Sequence, residues 1–194
     1  MLVLASSSPR RQELLRNVRI LHTIHPADIP EKQRVGESPT EFARRMARDK
    51  ARAVYDALHP PAGTFVLGAD TVVVVDNDVF GKPADEQDAL HMLRRLSGRA
   101  HEVVTGICLR GIDTGAPEGF EDVQSESTRV LFSSVSEDEM NDYIASGEPM
   151  DKAGAYAIQG LASRWIPRIE GDYSNVVGLP VALVCRLLRE HGAI

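Results

Sequence analysis

The chain has 194 residues, 43% hydrophobic and 26% charged, with a formal net charge of −6. Aromatic residues are only 5%, with one tryptophan, Trp165, so neither a base-stacking surface nor the basic footprint of a general nucleic-acid binder is available. No apolar run approaches the roughly 20 residues of a membrane helix, and Met1 to Ala5 is too short for a signal-peptide core, so the expectation is a cytoplasmic protein with no membrane or nucleic-acid partner.

A chain of this length can bury a core without staples, and one domain over residues 1–194 is expected. Cys108 and Cys185 sit in apolar runs and read as small buried hydrophobes, without metal-ligand spacing. In chain order, Leu2 to Ala5 reads as a short buried strand. Ser8 is placed to cap the helix that follows, with Pro9 at its first position, and the helix runs to about Asn17. Residues 18–25 alternate as a strand does, and residues 26–37 are loop-like. Ser38-Pro39-Thr40-Glu41 is a capping box opening a helix to about Leu58. Phe65 to Val75 is nearly all apolar and valine-rich, a buried strand. Asp76-Asn77-Asp78 predicts a turn, after which Val79-Phe80 pairs back.

A helix is expected from Asp85 to Leu96, closed by Gly98. His101 to Asp113 and Val123 to Ser133 are β-rich, joined as a long hairpin through Thr114 to Gly119. Ser136 to Glu139 is a second capping box, and Gly147 closes its helix. Residues 153–170 read as strand with glycine breaks, 171–175 as loop, and Pro180 to His191 as a last helix. Alternating strands and helices with hairpins give an α/β class with a mixed sheet.

Three features carry chemistry. Ser6 to Arg11 leads a strand through hydroxyls into a helix start with two arginines. Free N–H groups and the helix dipole favour an anion there, and arginine forks match phosphate oxygens. The same residues are also compatible with a serine cap and two solvated arginines. Asp70 lies inside an apolar run, where a carboxylate costs several kcal/mol (on the order of a few) unless paired or metal-bound; a functional carboxylate is favoured over a turn aspartate. Lys50 lies on the apolar face of the second helix, with Phe42, Met46, Ala47, Ala51, Val54 and Leu58. It either snorkels or aims into a cleft. Arg44, Arg45, Arg48 and Arg52 are assigned to the solvent side. Lys82 and Lys152, with Lys50 and the arginines, would supply a pocket positive enough for a triphosphate despite the net negative charge. No P-loop, dinucleotide fingerprint, histidine pair or nucleophile elbow is present.

Ser6-Ser7-Ser8-Pro9-Arg10-Arg11-Gln12-Glu13-Leu14-Leu15, Gly68-Ala69-Asp70-Thr71-Val72-Val73, Gly81-Lys82-Pro83, the run from Asp151 to Gly160 and the run from Gly171 to Pro180 together resemble the Maf family. Gly36-Glu37-Ser38-Pro39 and Lys50-Ala51 fit as well. The resemblance spans the chain in the expected order. It implies a Maf/ITPase-like fold, an elongated mixed β-sheet with flanking helices and two lobes around a central cleft. It also implies hydrolysis of a nucleoside triphosphate substrate to monophosphate and pyrophosphate with a divalent metal cation (Mg2+, Mn2+ or Co2+).

Under the resemblance, Asp70 falls on the catalytic carboxylate and is a metal ligand. Ser8, Arg10, Arg11, Lys50, Lys82 and Lys152 fall on phosphate-side residues. The family often has Asp-Glu after the second strand, whereas here Asp28-Ile29-Pro30-Glu31 stands, so Glu31 alone aligns with that pair as a second metal ligand. The Asp151-to-Gly160 form looks like the branch acting on dTTP, UTP and modified pyrimidine nucleotides. Arg10, Thr71 and Gln159 align with its specificity positions, and an amide such as Gln159 offers a pyrimidine edge both donors and an acceptor. The alternatives are a purine-directed pyrophosphatase, for 7-methyl-GTP or another purine, and a non-catalytic nucleotide-binding regulator of septum formation. A homodimer is compatible with any of these.

Overall fold

The computed structural model describes residues 1–113 and 116–194. The sheet among these residues has seven strands. They are β1 (Leu2–Leu4), β2 (His22–Ile24), β3 (Phe65–Val75), β4 (Asp78–Phe80), β5 (Ala100–Asp113), β6 (Ala116–Leu131) and β7 (Arg168–Glu170). Six α-helices accompany them among the described residues: α1 (Pro9–Asn17), α2 (Pro39–Leu58), α3 (Glu86–Leu96), α4 (Glu137–Ala145), α5 (Tyr173–Val177) and α6 (Val181–Glu190). The strand order is β2-β1-β3-β5-β6-β7, with β4 beside the far half of β3. β1 runs parallel to β2 and β3, and the other pairings are antiparallel, so the expected mixed α/β sheet is what forms.

The pairing of β3 sets the place of the site. One edge of β3 pairs with β5 from Phe65 to Val74. On the other edge, Phe65 to Leu67 pair with β1 and Val73 to Val75 with β4. Among the described residues no strand pairs with Gly68 to Val72 on that second edge, and Asp70 and Thr71 lie in this interval. The carboxyl end of β1 and the start of α1 open beside it, the position where strand ends in α/β sheets leave room for ligands.

The core follows the period-two alternation of β3. Val66 and Val72 face α2 with Ala47, Ala51, Val54 and Met46. Phe65, Leu67 and Ala69 face α1 and α6 through Leu15, Leu179, Val184 and Leu187. Beyond the unpaired interval, Val73, Val75, Val103 and Val130 pack under α3 and α4 with Phe132, Tyr143 and Trp165. Two glycines let α2 lie directly on the sheet. A Cβ at Gly68 would stand 2.1 Å from the Ala47 carbonyl, and one at Gly106 2.3 Å from that of Ala43. Both capping boxes form, at Ser38 with Glu41 and at Ser136 with Glu139. Asp76 and Asn77 adopt positive φ, as a tight hairpin turn demands.

Several expectations are corrected. The strand over residues 18–25 shrinks to His22–Ile24, because Val18 still ends α1 and Arg19 turns left-handed at φ 58°. β6 begins at Ala116 rather than Val123; of the connection expected from Thr114 to Gly119, Thr114 and Gly115 lie outside the described residues. The strand expected over 153–170 is instead 3-10 turns at Ala153–Ala155 and Leu161–Trp165 followed by β7, because Gly154 and Ala155 take positive φ and break extension. Residues expected as loop form α5, whose N–H groups at Ser174 and Asn175 are capped by Asp172. Ser8 precedes α1 as expected, but its side chain makes no cap bond. Arg45 is buried rather than solvent-facing, 8% exposed, because its guanidinium folds the 26–37 loop onto α2. It donates to both oxygens of Glu37, at 2.6 and 2.8 Å, and to the Lys32 carbonyl at 2.8 Å. Those bonds hold the Glu37 carboxylate down at about 2. Leu58, expected on the apolar stripe of α2, is its last residue and stays exposed; Cys108 is buried as expected, but Cys185 is only half-buried. No described helix is long and apolar enough to cross a membrane.

Candidate active site

The unpaired stretch of β3 floors a cleft of about 520 Å³. Its walls are the loop from β1 into α1, the 26–37 loop, Lys50 of α2, the β4 hairpin, the Asp151–Gln159 segment and the end of α5. Ser8, Arg10, Arg11, Glu31, Lys50, Asp70, Thr71, Lys82, Lys152 and Gln159 all line it. The structure thus gathers into one cavity every site residue expected from the sequence, although Ser8 and Gln159 stand 151 positions apart.

Asp70 and Lys50 are the buried centre. The close seat of α2 on Gly68 brings Lys50, one turn beyond Ala47, down onto the sheet. Its Nζ donates to Asp70 Oδ1 at 2.7 Å and meets Glu31 Oε1 at 2.5 Å. Asp70 and Lys50 are 7% and 8% exposed, so the lysine aims into the cleft and does not snorkel. Burial pushes the Asp70 carboxyl above the ordinary aspartate range, while Lys50 and Arg11 pull it back and Glu31 adds to the rise. Such a carboxylate binds a proton more readily than an exposed one, which suits a base.

Asp70 and Thr71 point to opposite faces of β3. On the Thr71 face, Arg11 is enclosed, and burial lowers its pKa. Its Nε donates to the Gly178 carbonyl at 2.7 Å, one terminal nitrogen to Ser6 Oγ and the Ala69 carbonyl, and the other to Thr71 Oγ1. Four of the five N–H donors of a guanidinium are thereby used inside the protein. Thr71 Oγ1 also lies 2.9 Å from Thr105 Oγ1 and 3.3 Å from the Gly178 carbonyl. The two residues meet each other as well as the cavity.

The remaining cations stand nearer the surface. Arg10 approaches Asp151 at 3.5 Å. Lys152 bonds Asp151 and the Glu148 carbonyl, the latter at 3.2 Å. Lys82 and Gln159 are exposed, and neither has a hydrogen bond or ion pair within the described residues. The Lys82 and Gln159 side chains are free to turn toward a ligand. Among the described residues no group of three or more His, Cys, Asp or Glu side chains gathers as a metal cluster; Asp70 and Glu31, joined through Lys50, are the carboxylates that meet at the floor.

Sequence reasoning missed the polar framework behind this floor. Asn175 is fully buried, and its Nδ2 donates to the Val103 carbonyl at 2.9 Å and to Thr128 Oγ1 at 3.0 Å. Thr105 Oγ1 donates to the Asn175 carbonyl, and Thr128 Oγ1 to that of Asp172. These bonds tie α5 to β5 and β6 and fix Gly178 under Arg11. Asn175 follows Ser174 in a helix of five residues, too short to show periodicity, and so gave no signal of this.

A family model described as Maf-like protein matches residues 1–191. A protein of Koribacter versatilis (strain Ellin345) named dTTP/UTP pyrophosphatase is 54% identical over 193 residues, covering 100% of this chain and 95% of that one. One of Syntrophomonas wolfei subsp. wolfei (strain DSM 2245B / Goettingen) with the same name is 50% identical, covering 97% of this chain and 96% of its own length. A third so named, from Geobacter sp. (strain M21), is 46% identical over 100% and 96%.

Proposed function

The chain belongs to the Maf family, and from that premise we propose that its cleft hydrolyses dTTP and UTP, and modified pyrimidine nucleotides of the same shape, to the monophosphate and pyrophosphate. The observation that carries this reading is the buried Asp70–Lys50 pair on the cavity floor, met from the exposed side by Glu31, with Arg10, Lys82 and Lys152 around it. The relatives that share the full length of this chain are named for the same activity.

Asp70 orients a water against the α-phosphorus and accepts its proton. The new bond joins the water oxygen to that phosphorus, the bond from it to the bridging oxygen breaks, and pyrophosphate leaves with that oxygen. A positioned base of this kind is worth about 10²–10⁴-fold. Arg10, Lys82 and Lys152 offset charge on the phosphates as it shifts toward the leaving group. Lys50 holds Asp70 in place and presents a further positive charge. Gln159, exposed at the rim, meets the base edge with donors and an acceptor.

The donor set also fits a divalent cation. Lys50 already brings a positive charge within 2.5 Å of a Glu31 oxygen and 2.7 Å of an Asp70 oxygen, and hard ions such as Mg2+ need only one or two carboxylates beside substrate phosphates and water. Asp70 and Glu31 would hold it. When bound, it would neutralise phosphate charge and make a nearby water more acidic.

A nucleotide panel with pyrophosphate detection tests the reading: dTTP, UTP, GTP, ITP and 7-methyl-GTP, each with Mg2+, Mn2+ or Co2+. Pyrophosphate should appear fastest from dTTP and UTP. A preference for a purine, or binding without turnover under all three ions, would overturn it.

A further inference from the structure

Gln159 sits on a short exposed turn, yet that turn is held at both ends by groups the reaction does not use. Its start is tied by the Ala157 N–H, which donates to Tyr143 Oη at 3.3 Å. Its end is tied by the Leu161 N–H, which donates to both oxygens of Glu148, at 3.0 and 3.1 Å. The two ties are one device, because Tyr143 Oη itself donates to Glu148 Oε1 at 2.8 Å. Between them the turn closes on itself through the Gly160 N–H and the Ala157 carbonyl, 3.1 Å. The Glu148 carboxylate lies flat against Gly160, where a Cβ would stand 2.2 Å from Oε1. The anchor is rigid: Tyr143 is 1% exposed and packs edge-on against Trp165, with ring centroids 5.2 Å apart.

We propose that Glu148, through Tyr143 and the Gly160 turn, is the positioning residue for base selection, holding in place the backbone from which Gln159 reaches the edge of the nucleobase. This rests on the reading of Gln159 as the base-side group of a pyrimidine nucleotide pyrophosphatase. Discrimination by hydrogen bonding needs an amide carried on backbone that cannot retreat; a turn that shifts lets the amide adapt to whichever edge arrives, and selectivity is lost. Glu148 also separates the two halves of the site cleanly. Its side chain holds the Gln159 turn, and its backbone carbonyl receives Lys152 Nζ. Truncating the side chain therefore leaves the phosphate-side contact in place.

The experiment compares kcat and KM for dTTP and GTP in wild type, Glu148→Ala, Glu148→Gln, Tyr143→Phe, Gln159→Ala and the Glu148→Ala/Gln159→Ala pair, with thermal melts as a folding control. Loss of a charged acceptor for two donors should lower the dTTP-to-GTP ratio of kcat/KM about tenfold or more in Glu148→Ala. The change should come from KM for dTTP, with kcat held within about threefold. Glu148→Gln, which still offers an oxygen to Leu161, should recover most of the ratio, and Tyr143→Phe should move it the same way as Glu148→Ala. The double variant should discriminate no worse than Gln159→Ala alone, since both changes disable one device. If wild type shows no pyrimidine preference, or Gln159→Ala keeps it, the reading of the base side fails and the proposal with it. If Gln159→Ala loses the preference while Glu148→Ala and Tyr143→Phe keep it, that reading stands and the proposal alone is overturned.

Discussion

Asp70→Asn separates the chemical duty of the carboxylate from its place in the fold. Two opposing energies decide the stability of this variant. Removing one partner from a buried ion pair costs about 3–5 kcal/mol when the other charge is left alone. Lys50 is not left alone, because Glu31 Oε1 stays at 2.5 Å and the new amide oxygen still accepts a hydrogen bond. Against that loss stands the desolvation of the carboxylate, the largest influence on Asp70, which raises its pKa in spite of Lys50 and Arg11. An acid raised on folding contributes stability that is full below its unfolded pKa of about 3.9 and falls away as pH rises through the folded value. At neutral pH the charged form is therefore a strain on the fold, and a neutral isostere relieves it.

The expected outcome is a stability within about 1 kcal/mol of wild type, a shift of about 2–4 °C at most for a chain of this size. Turnover of dTTP should fall by about 10²–10⁴-fold, with nucleotide affinity largely kept. Pyrophosphate release, calorimetric melts and isothermal titration with nucleotide read the three quantities. In wild type the acidic limb of kcat/KM should lie above the ordinary aspartate range. Near-full turnover in the variant would refute the assignment of the base. A loss near 3–5 kcal/mol would instead mean that the attraction to Lys50 outweighs burial, and the argument for a raised pKa would fall.

Other substitutions probe the surroundings. Lys50→Met leaves Asp70 and Glu31 without the cation that joins them, so stability should drop by about 3–5 kcal/mol, and added Mg2+ or Mn2+ should restore part of it in a melt; no recovery would remove the case for a metal between them. Arg11→Lys keeps a charge but replaces the fork with three donors on one atom, so the Ala69 or Gly178 carbonyl loses its bond, and the melt should report about 1–3 kcal/mol. An unchanged melt with only KM raised would make Arg11 a phosphate ligand and not a brace. Burial depresses His101 to about 4 from 6.5. A base depressed on folding stabilises above its unfolded pKa and loses that contribution as pH falls, so wild type should shed up to about 3 kcal/mol between pH 6.5 and 4 from this residue. In His101→Gln, denaturant titrations should show a flatter acid limb, and identical slopes would exclude His101 as the cause.

What could be read in advance was local. Ser38 and Ser136 announce their helices because the capping box is a four-residue pattern, and the valines of β3 announce a strand buried on both faces. Asp70 is legible because a lone carboxylate in such a strand demands a partner. The failures are where distant contacts decide local shape. Arg45 adjoins Met46 on α2 and reads as solvent-facing, yet Glu37 and the Lys32 carbonyl close over it, and that closure also holds the loop bearing Glu31. Residues 153–170 carry Tyr, Ile and Trp in a strand-like mixture, but left-handed Gly154 and Ala155 turn the chain and the Glu148 carboxylate pins its return. The duties of Glu148 and Asn175 are invisible at sequence level because each acts on backbone groups far along the chain.

The same contrast explains why chemistry and architecture meet on β3. A strand with one edge unpaired over five residues leaves backbone acceptors without a neighbour, a cost that native proteins rarely carry. Here the missing neighbour is replaced piecewise. Arg11 supplies a donor to the Ala69 carbonyl and spans from it to Gly178, and Asn175 fastens the segment that carries Gly178. The brace on the Thr71 face is what permits the opening on the Asp70 face, where a nucleotide rather than a strand can lie along the edge. Under the proposed reading Arg11 would serve the phosphates first by keeping open the place they enter, and a direct contact from its one remaining donor would come in addition to that.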